Sequence, residues 1–219
     1  MELSTSQQKK VQSIVAIGLA SILLVAFLES GIREEVSLEN LRSLGENPWT
    51  PVLIVAAMTG AWAFALPASV FFFITPLLFP AIEATVIICV GSAFGTAMGY
   101  VVARFVGGPW VERIRGYRVT SFLERHSSFA NFFAIRVFPS SPHGWINYAA
   151  GLLALPFWKF LTATMLGVSI KAFLYSTAIE GSVGASSISE ALNWQTVTAL
   201  STLGILAVVG HIVRRKWRG

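Results

Sequence analysis

Charge is scarce in this chain. Only 12% of its 219 residues are Asp, Glu, Lys or Arg, about half of the roughly 25% that a soluble domain carries. So little polar surface cannot cover a soluble globule. Cysteine is nearly absent too, and the single Cys89 excludes a disulfide scaffold. The three histidines, His126, His143 and His211, share no metal-ligand spacing, so neither a metal nor a cofactor is expected. What the chain does have is apolar: 54% of the residues are hydrophobic and the mean hydropathy is +0.67. That composition excludes a disordered chain and argues for an integral membrane protein. A sequence pI near 9.7 suggests nucleic acid. The net charge is only +5, however, and the basic residues are placed for another use, so no nucleic-acid partner is expected.

Lys9 and Lys10 precede an apolar run over 11–28. Its 18 residues are near the lower limit for a spanning helix and long for a signal core. The run continues through Ile22-Leu23-Leu24-Val25 beyond Ala20 and Ser21, so residues 1–28 read as a tail and an uncleaved first span. Further apolar segments cover 51–80, 81–103, 128–156, 157–179 and 193–213. The loops between them differ in sign. Loop 29–50 holds five Glu against Arg33 and Arg42, and 180–192 holds two Glu without Lys or Arg. Stretch 104–127 holds five Arg against Glu112 and Glu124, and tail 214–219 carries Arg214, Arg215, Lys216 and Arg218.

Basic loops stay cytoplasmic. Both termini and 104–127 are therefore expected inside, with 29–50 and 180–192 outside. Parity then restricts the crossings. Segments 51–80 and 81–103 together must lead from outside to inside, so only one of them crosses. From 128 to 213, likewise, one of three segments must fail to cross. The exceptions are 51–80 and 128–156, which are 30 and 29 residues long. At about 1.5 Å per residue, 30 residues make about 45 Å of helix, too long for one span of a core about 30 Å thick and too short for two. Each also contains a break, at Leu66-Pro67 and at Pro139-Ser-Ser-Pro142-His-Gly144, where proline removes a donor and clashes with the preceding turn. The expected fold is all-α and polytopic. Two re-entrant helical hairpins of opposed sense, 51–80 and 128–156, each precede one span, in an inverted repeat like those of secondary transporters.

The second hairpin carries a recognisable pattern. Phe133-Ala-Ile-Arg136-Val-Phe-Pro139-Ser-Ser-Pro142, followed by Asn147-Tyr148 and Gly151, resembles the DedA superfamily. Within it, the closer match is the SNARE-associated Golgi protein or VTT-domain branch. Gly91-Ser-Ala-Phe-Gly95 with Gly99 and Ala103-Arg104-Phe105 is similar to that family's glycine-rich helix and Arg-aromatic end. The resemblance covers about 49–181. Two departures stand out: prolines replace the glycines usual in the second arm of hairpin one, and that hairpin lacks the acidic pair of the DedA branch proper. The resemblance implies a multipass membrane protein with two opposed hairpins. It also implies roles in lipid scrambling, in recycling of a polyprenyl phosphate carrier, or in proton-dependent homeostasis.

Arg136 is the leading functional residue. Arginine at membrane depth is expensive and normally faces a cavity or a partner, and its planar fork suits phosphate. The half-helix after Pro142 aims free N–H groups and the positive end of its dipole at the same region. Arg136, Pro139, Pro142, Gly144, Asn147 and Lys171 are therefore the expected anion-binding set. Lys171, mid-span, either joins that set or pairs with Glu83. Asn147 is expected to bond the interrupted backbone of the opposite hairpin. Gly91, Gly95 and Gly99 recur every four residues and, with Gly151, are expected at close helix contacts. The stretch from Trp110 to His126 is expected along the inner leaflet. Cys89 reads as a small hydrophobe. Ser140, Ser141 and His143 lack an acidic orienter, so a triad is not supported and an enzyme is the least expected class.

The expectation is a multipass protein of the cell inner (plasma) membrane that moves a lipid or another anionic substrate. Membrane lipids, either phospholipid or polyprenyl phosphate, are the expected partners. The rivals are a proton- or ion-coupled small-solute transporter and a non-transporting membrane-organising factor.

Overall fold

A computed structural model describes residues 38–64, 66, 68–106, 127–138, 143–183, 185 and 187–216. The expected span over 11–28 and the interfacial stretch 110–126 lie outside the described residues. The chain divides into two compact units, Met1–Leu41 and Arg42–Gly219. Among the described residues every regular element is a helix: α1 (Leu38–Glu46), α2 (Thr50–Ala63), α3 (Phe71–Leu78), α4 (Ala81–Val106), α5 (Phe129–Val137), α6 (His143–Leu152), α7 (Phe157–Ser182), α8 (Ile188–Ala191) and α9 (Trp194–Lys216).

Local signals set most of the boundaries. Pro51 opens α2, where a missing N–H is harmless. Helix α5 starts at Ser128, whose side chain accepts from Asn131 N–H at 3.2 Å. The turn after α6 passes through Ala154 at φ 52°, an unusual left-handed position for a residue with a side chain. The Leu155 N–H then reaches back to the Ala150 carbonyl at 3.0 Å, which caps the turn. Asn193 closes the far end of the chain: its Oδ1 accepts from Thr196 N–H at 2.9 Å and its Nδ2 donates to the Gly181 carbonyl at 2.8 Å.

Helices α4 and α7 are long and apolar enough to cross a membrane. Each has 26 residues, about 39 Å at about 1.5 Å per residue. Each also runs three residues past the expected span, to Val106 and Ser182, because helical bonding continues into the polar flank. The α9 helix carries a shorter apolar stretch, Trp194–Gly210. On α4, Ile82, Val86, Val90, Phe94, Met98, Val101 and Phe105 form an exposed apolar face, whereas Ser92 and Thr96 are buried. A soluble helix shows the reverse arrangement. An exposed apolar face of this length fits a lipid neighbour.

Side-chain contacts give the directions of the helices. Met58 lies against Gly91 and Trp62 against Gly95, so α2 runs parallel to α4. A Cβ on Gly45, five residues before α2, would meet the Leu78 carbonyl at the end of α3, three residues before α4 begins, so the start of α2, the end of α3 and the start of α4 lie at one level. Residues 50–80 therefore go in and return. In the second half Phe132 meets Phe160 and Arg136 meets Thr164 and Gly167, so α5 runs parallel to α7. Helix α6 returns alongside α4, with Asn147 at Gly99 and Gly151 at Tyr100 and Ala103. Cys89 facing Ser169 and Tyr100 facing Phe157 make α4 and α7 antiparallel. A helical hairpin followed by a long helix thus occurs twice, with opposite sense.

The hairpin arms have 14, 8, 9 and 10 residues, only about 12–21 Å each. Two apolar cores hold them. One joins Ile54, Met58, Phe72, Phe79, Ala84, Ile88, Val168 and Ala172. The other joins Tyr100, Phe132, Ile146, Ala149, Ala150, Leu155, Phe160 and Ala163.

Candidate functional site

The inner ends of the two hairpins meet. Tyr148 on α6 donates its hydroxyl to the Ala63 carbonyl at the end of α2. The His143 ring stacks on Trp62 of α2, with centroids 5.4 Å apart and planes at 10°, and lies 6.3 Å from Phe72 of α3 at 14°. The second hairpin thus presents its histidine to an aromatic slot made by the first.

Behind this contact lies a buried cluster of basic groups. Helix α5 comes close enough to α7 to insert Arg136 because α7 has Gly167 there: a Cβ at that position would meet Arg136 Cβ at 2.6 Å and the Phe133 carbonyl at 2.9 Å. Arg136 is fully buried. Its Nε donates to Thr164 Oγ1 at 3.1 Å, its Nη1 lies 2.7 Å from His143 Nδ1, and its Nη2 donates to Asn147 Oδ1. Lys171, two turns beyond Thr164 on the same face of α7, is 2% exposed. Its Nζ lies 2.5 Å from His143 Nε2. Each cation also sits over a ring of one apolar core: Lys171 Nζ is 4.9 Å from the Phe72 centroid and Arg136 Cζ is 5.1 Å from that of Phe160.

The cluster has no acidic member among the described residues. The chain contains no aspartate, and all 11 of its acids are glutamates. The described ones lie on α1, in the first turn of α4, in the last turn of α7 and on α8. Glu83 is not the partner of Lys171, contrary to one expectation. Helices α4 and α7 are antiparallel with Cys89 opposite Ser169, so Lys171 lies level with about residue 87, roughly one turn from Glu83. Its ammonium turns instead toward hairpin two. Among the described residues no three His, Cys, Asp or Glu side chains cluster, and two cations beside His143 repel a metal ion.

The structure brings Arg136, Asn147 and Lys171 of the expected set together. Gly144 lies in the first turn of α6, whose N-terminus opens at the cluster through His143. Pro139 and Pro142 lie outside the described residues, as do Ser140 and Ser141. Arg136 neither snorkels nor caps carbonyls, since its three bonds go to side chains. Asn147 differs from the expectation. It serves Arg136, while the neighbouring Tyr148 bonds the opposite hairpin. The glycines mark close approaches: Gly91 to Met58, Gly95 to Trp62, Gly99 to the Trp62 carbonyl and Asn147, and Gly151 to the Tyr100 backbone. Cys89 is half-buried, with its sulfur 3.1 Å from Ser169 Oγ.

Sequence reasoning missed the central role of His143. The only signal was its place directly after Pro142, at the start of the half-helix. The Asn147 amide nitrogen and the hydroxyls of Ser92 and Thr96 are buried without hydrogen-bond partners among the described residues. Arg136 and Lys171 have no acidic partner among the described residues, and the Asn147 amide nitrogen beside Arg136 is unpaired there.

Comparison with known proteins places the chain in a family. Residues 66–181 match the VTT domain. The chain is 30% identical to a transmembrane protein 41 homolog of Caenorhabditis elegans over 195 residues, covering 82% of this chain and 79% of that protein. It is 26% identical to transmembrane protein 41B of Homo sapiens and of Xenopus tropicalis, over 70% of this chain in each case. The chain spans a little over half of those vertebrate relatives, 55% and 57% of their lengths. No solved structure matches the chain.

Proposed function

The chain belongs to the VTT-domain family of membrane proteins, and on that footing we propose that it moves a lipid with an anionic phosphate headgroup across the bilayer. The single observation that carries this reading is the pair Arg136 and Lys171, buried between the hairpin tips with no acidic partner among the described residues. On an insertion scale each cation at mid-membrane costs about 2.5–3.5 kcal/mol, so two cost about 5–7 kcal/mol. A packed scaffold has no need of that expense, and a passing anion repays it. In this reading hairpin one enters from outside and hairpin two from the cytoplasm, with both chain termini cytoplasmic in a cell inner membrane. The headgroup passes between the tips, held by Arg136, Lys171 and the N-terminus of α6. The acyl or polyprenyl tails stay in the bilayer along the apolar faces of the long helices.

Lipid scrambling in proteoliposomes tests this proposal, with wild type compared to Arg136→Ala at matched, verified insertion. Flux in the wild type and a loss of at least about tenfold in the variant is the expected result, since one bond to a charged group is worth about 1.5–3 kcal/mol. Equal flux in both removes Arg136 from the path. No flux from folded wild type favours a solute transporter or a membrane-organising factor.

A further inference from the structure

We propose that His143 determines which ligand this cluster accepts, because its imidazole stands where the ligand's acceptor oxygens belong. The inference rests on the anion-site reading above and adds the residue that selects the ligand. His143 Nδ1 lies 2.7 Å from Arg136 Nη1 and His143 Nε2 lies 2.5 Å from Lys171 Nζ. While Lys171 is protonated both neighbours are donors, since guanidinium and ammonium groups accept nothing. A neutral imidazole has one acceptor nitrogen and a protonated one has none. With both cations carrying their full complement of protons, one ring cannot accept from both. A phosphate group with two or more unesterified oxygens can. The ring is therefore an incomplete substitute for such a ligand, and a ligand with a single acceptor atom gains nothing by displacing it.

The same ring joins the two hairpins. It stacks between Trp62 and Phe72, which belong to hairpin one, while Arg136 and Lys171 face it from α5 and α7. A phosphate that replaces the ring between the cations also withdraws it from the aromatic slot. The Tyr148 bond to Ala63 stays in place between the tips. Ligand entry and loosening of the tips are one event in this arrangement. The shared chemistry of the ligand is a phosphate group with at least two free oxygens, on a lipid headgroup or as inorganic phosphate.

The full chain in dodecyl maltoside, which supplies no phosphate, is titrated by calorimetry in two arms, with dihexanoyl phosphatidic acid and with inorganic phosphate. Wild type, Arg136→Ala, His143→Ala and His143→Ser are compared, each confirmed as a single monodisperse peak. Both small His143 variants are expected to bind at least about tenfold tighter than wild type, a gain of about 1.4 kcal/mol, in whichever arm the wild type binds. The stronger arm identifies the source of the phosphate. Equal or weaker binding by both variants overturns the inference, while loss of binding in Arg136→Ala still upholds the anion site. No binding by any folded protein overturns both. A measurement without His143 variants guards against misfolding. The chain has three histidines, so ¹⁵N-histidine spectra assigned with His126→Gln and His211→Gln isolate the His143 ring. Saturating probe must shift both of its ring nitrogens, and unchanged shifts contradict the inference.

Discussion

Gly167→Ala tests the closest approach in the cluster. A methyl group at this position would lie 2.6 Å from Arg136 Cβ, 2.9 Å from the Phe133 carbonyl and 3.2 Å from Val137 N. Two of these three atoms are backbone, so no rotamer change relieves the clash. Helix α5 must retreat by about 1 Å to restore ordinary contact, and that shift stretches the 3.1 Å bond from Arg136 Nε to Thr164 beyond useful length. Overpacking of this kind costs about 1–3 kcal/mol. Gly204→Ala is the control, because nothing lies within 4 Å of a Cβ there. Both substitutions gain the same helix propensity, up to about 1 kcal/mol, so the difference between them isolates the clash. For a chain of this length, 1–3 kcal/mol corresponds to about 2–12 °C in Tm. Thermal unfolding of the detergent-solubilised protein, followed by gel filtration, reads that difference. Gly167→Ala should melt lower than Gly204→Ala and should also lose lipid flux. Equal melting temperatures, or full flux in Gly167→Ala, refute the packing described for Arg136.

Two more outcomes follow from the same contacts. Tyr148→Phe leaves the Ala63 carbonyl without its donor from the opposite hairpin, and thermal stability should fall by about 1–3 kcal/mol; unchanged stability shows that the tips do not depend on this bond. Lys171→Met removes a buried charge that has no described acidic partner, so stability should rise by about 1–4 kcal/mol while flux is lost. A clear drop in melting temperature instead points to a counter-ion for Lys171.

The broad architecture was legible because charge and length constrain it. Loop signs and parity left two segments expected not to cross fully, and the structure interrupts each of them, between α2 and α3 and between α5 and α6. The glycines four residues apart on α4 announced a close-packed face, and Arg136 was conspicuous as a cation inside an apolar run. Other details were not local. Asn147 and Tyr148 are adjacent and point about 100° apart on a helix. Which of them reaches the opposite hairpin depends on the rotation of α6, which no short pattern encodes. His143 joins Arg136 from α5, Lys171 from α7 and two rings from hairpin one. Such a junction exists only once five helices are assembled. The pairing of Lys171 with Glu83 failed for a related reason: the register of α4 against α7 is set by tertiary packing.

The central claim is that each hairpin enters and leaves on one side of the membrane. The chain has a single cysteine, and Cys89→Ser gives a background free of thiols. Single cysteines are then placed at Glu46 and Glu83, which flank hairpin one, and at Ala130 and Lys159, which flank hairpin two; all four positions are exposed. Sealed vesicles are treated with a membrane-impermeant maleimide from one side or the other. The account predicts that positions 46 and 83 react from one side only, and that 130 and 159 react only from the opposite side. If 46 and 83 react from opposite sides, residues 50–80 cross the bilayer outright and the opposed hairpins do not exist.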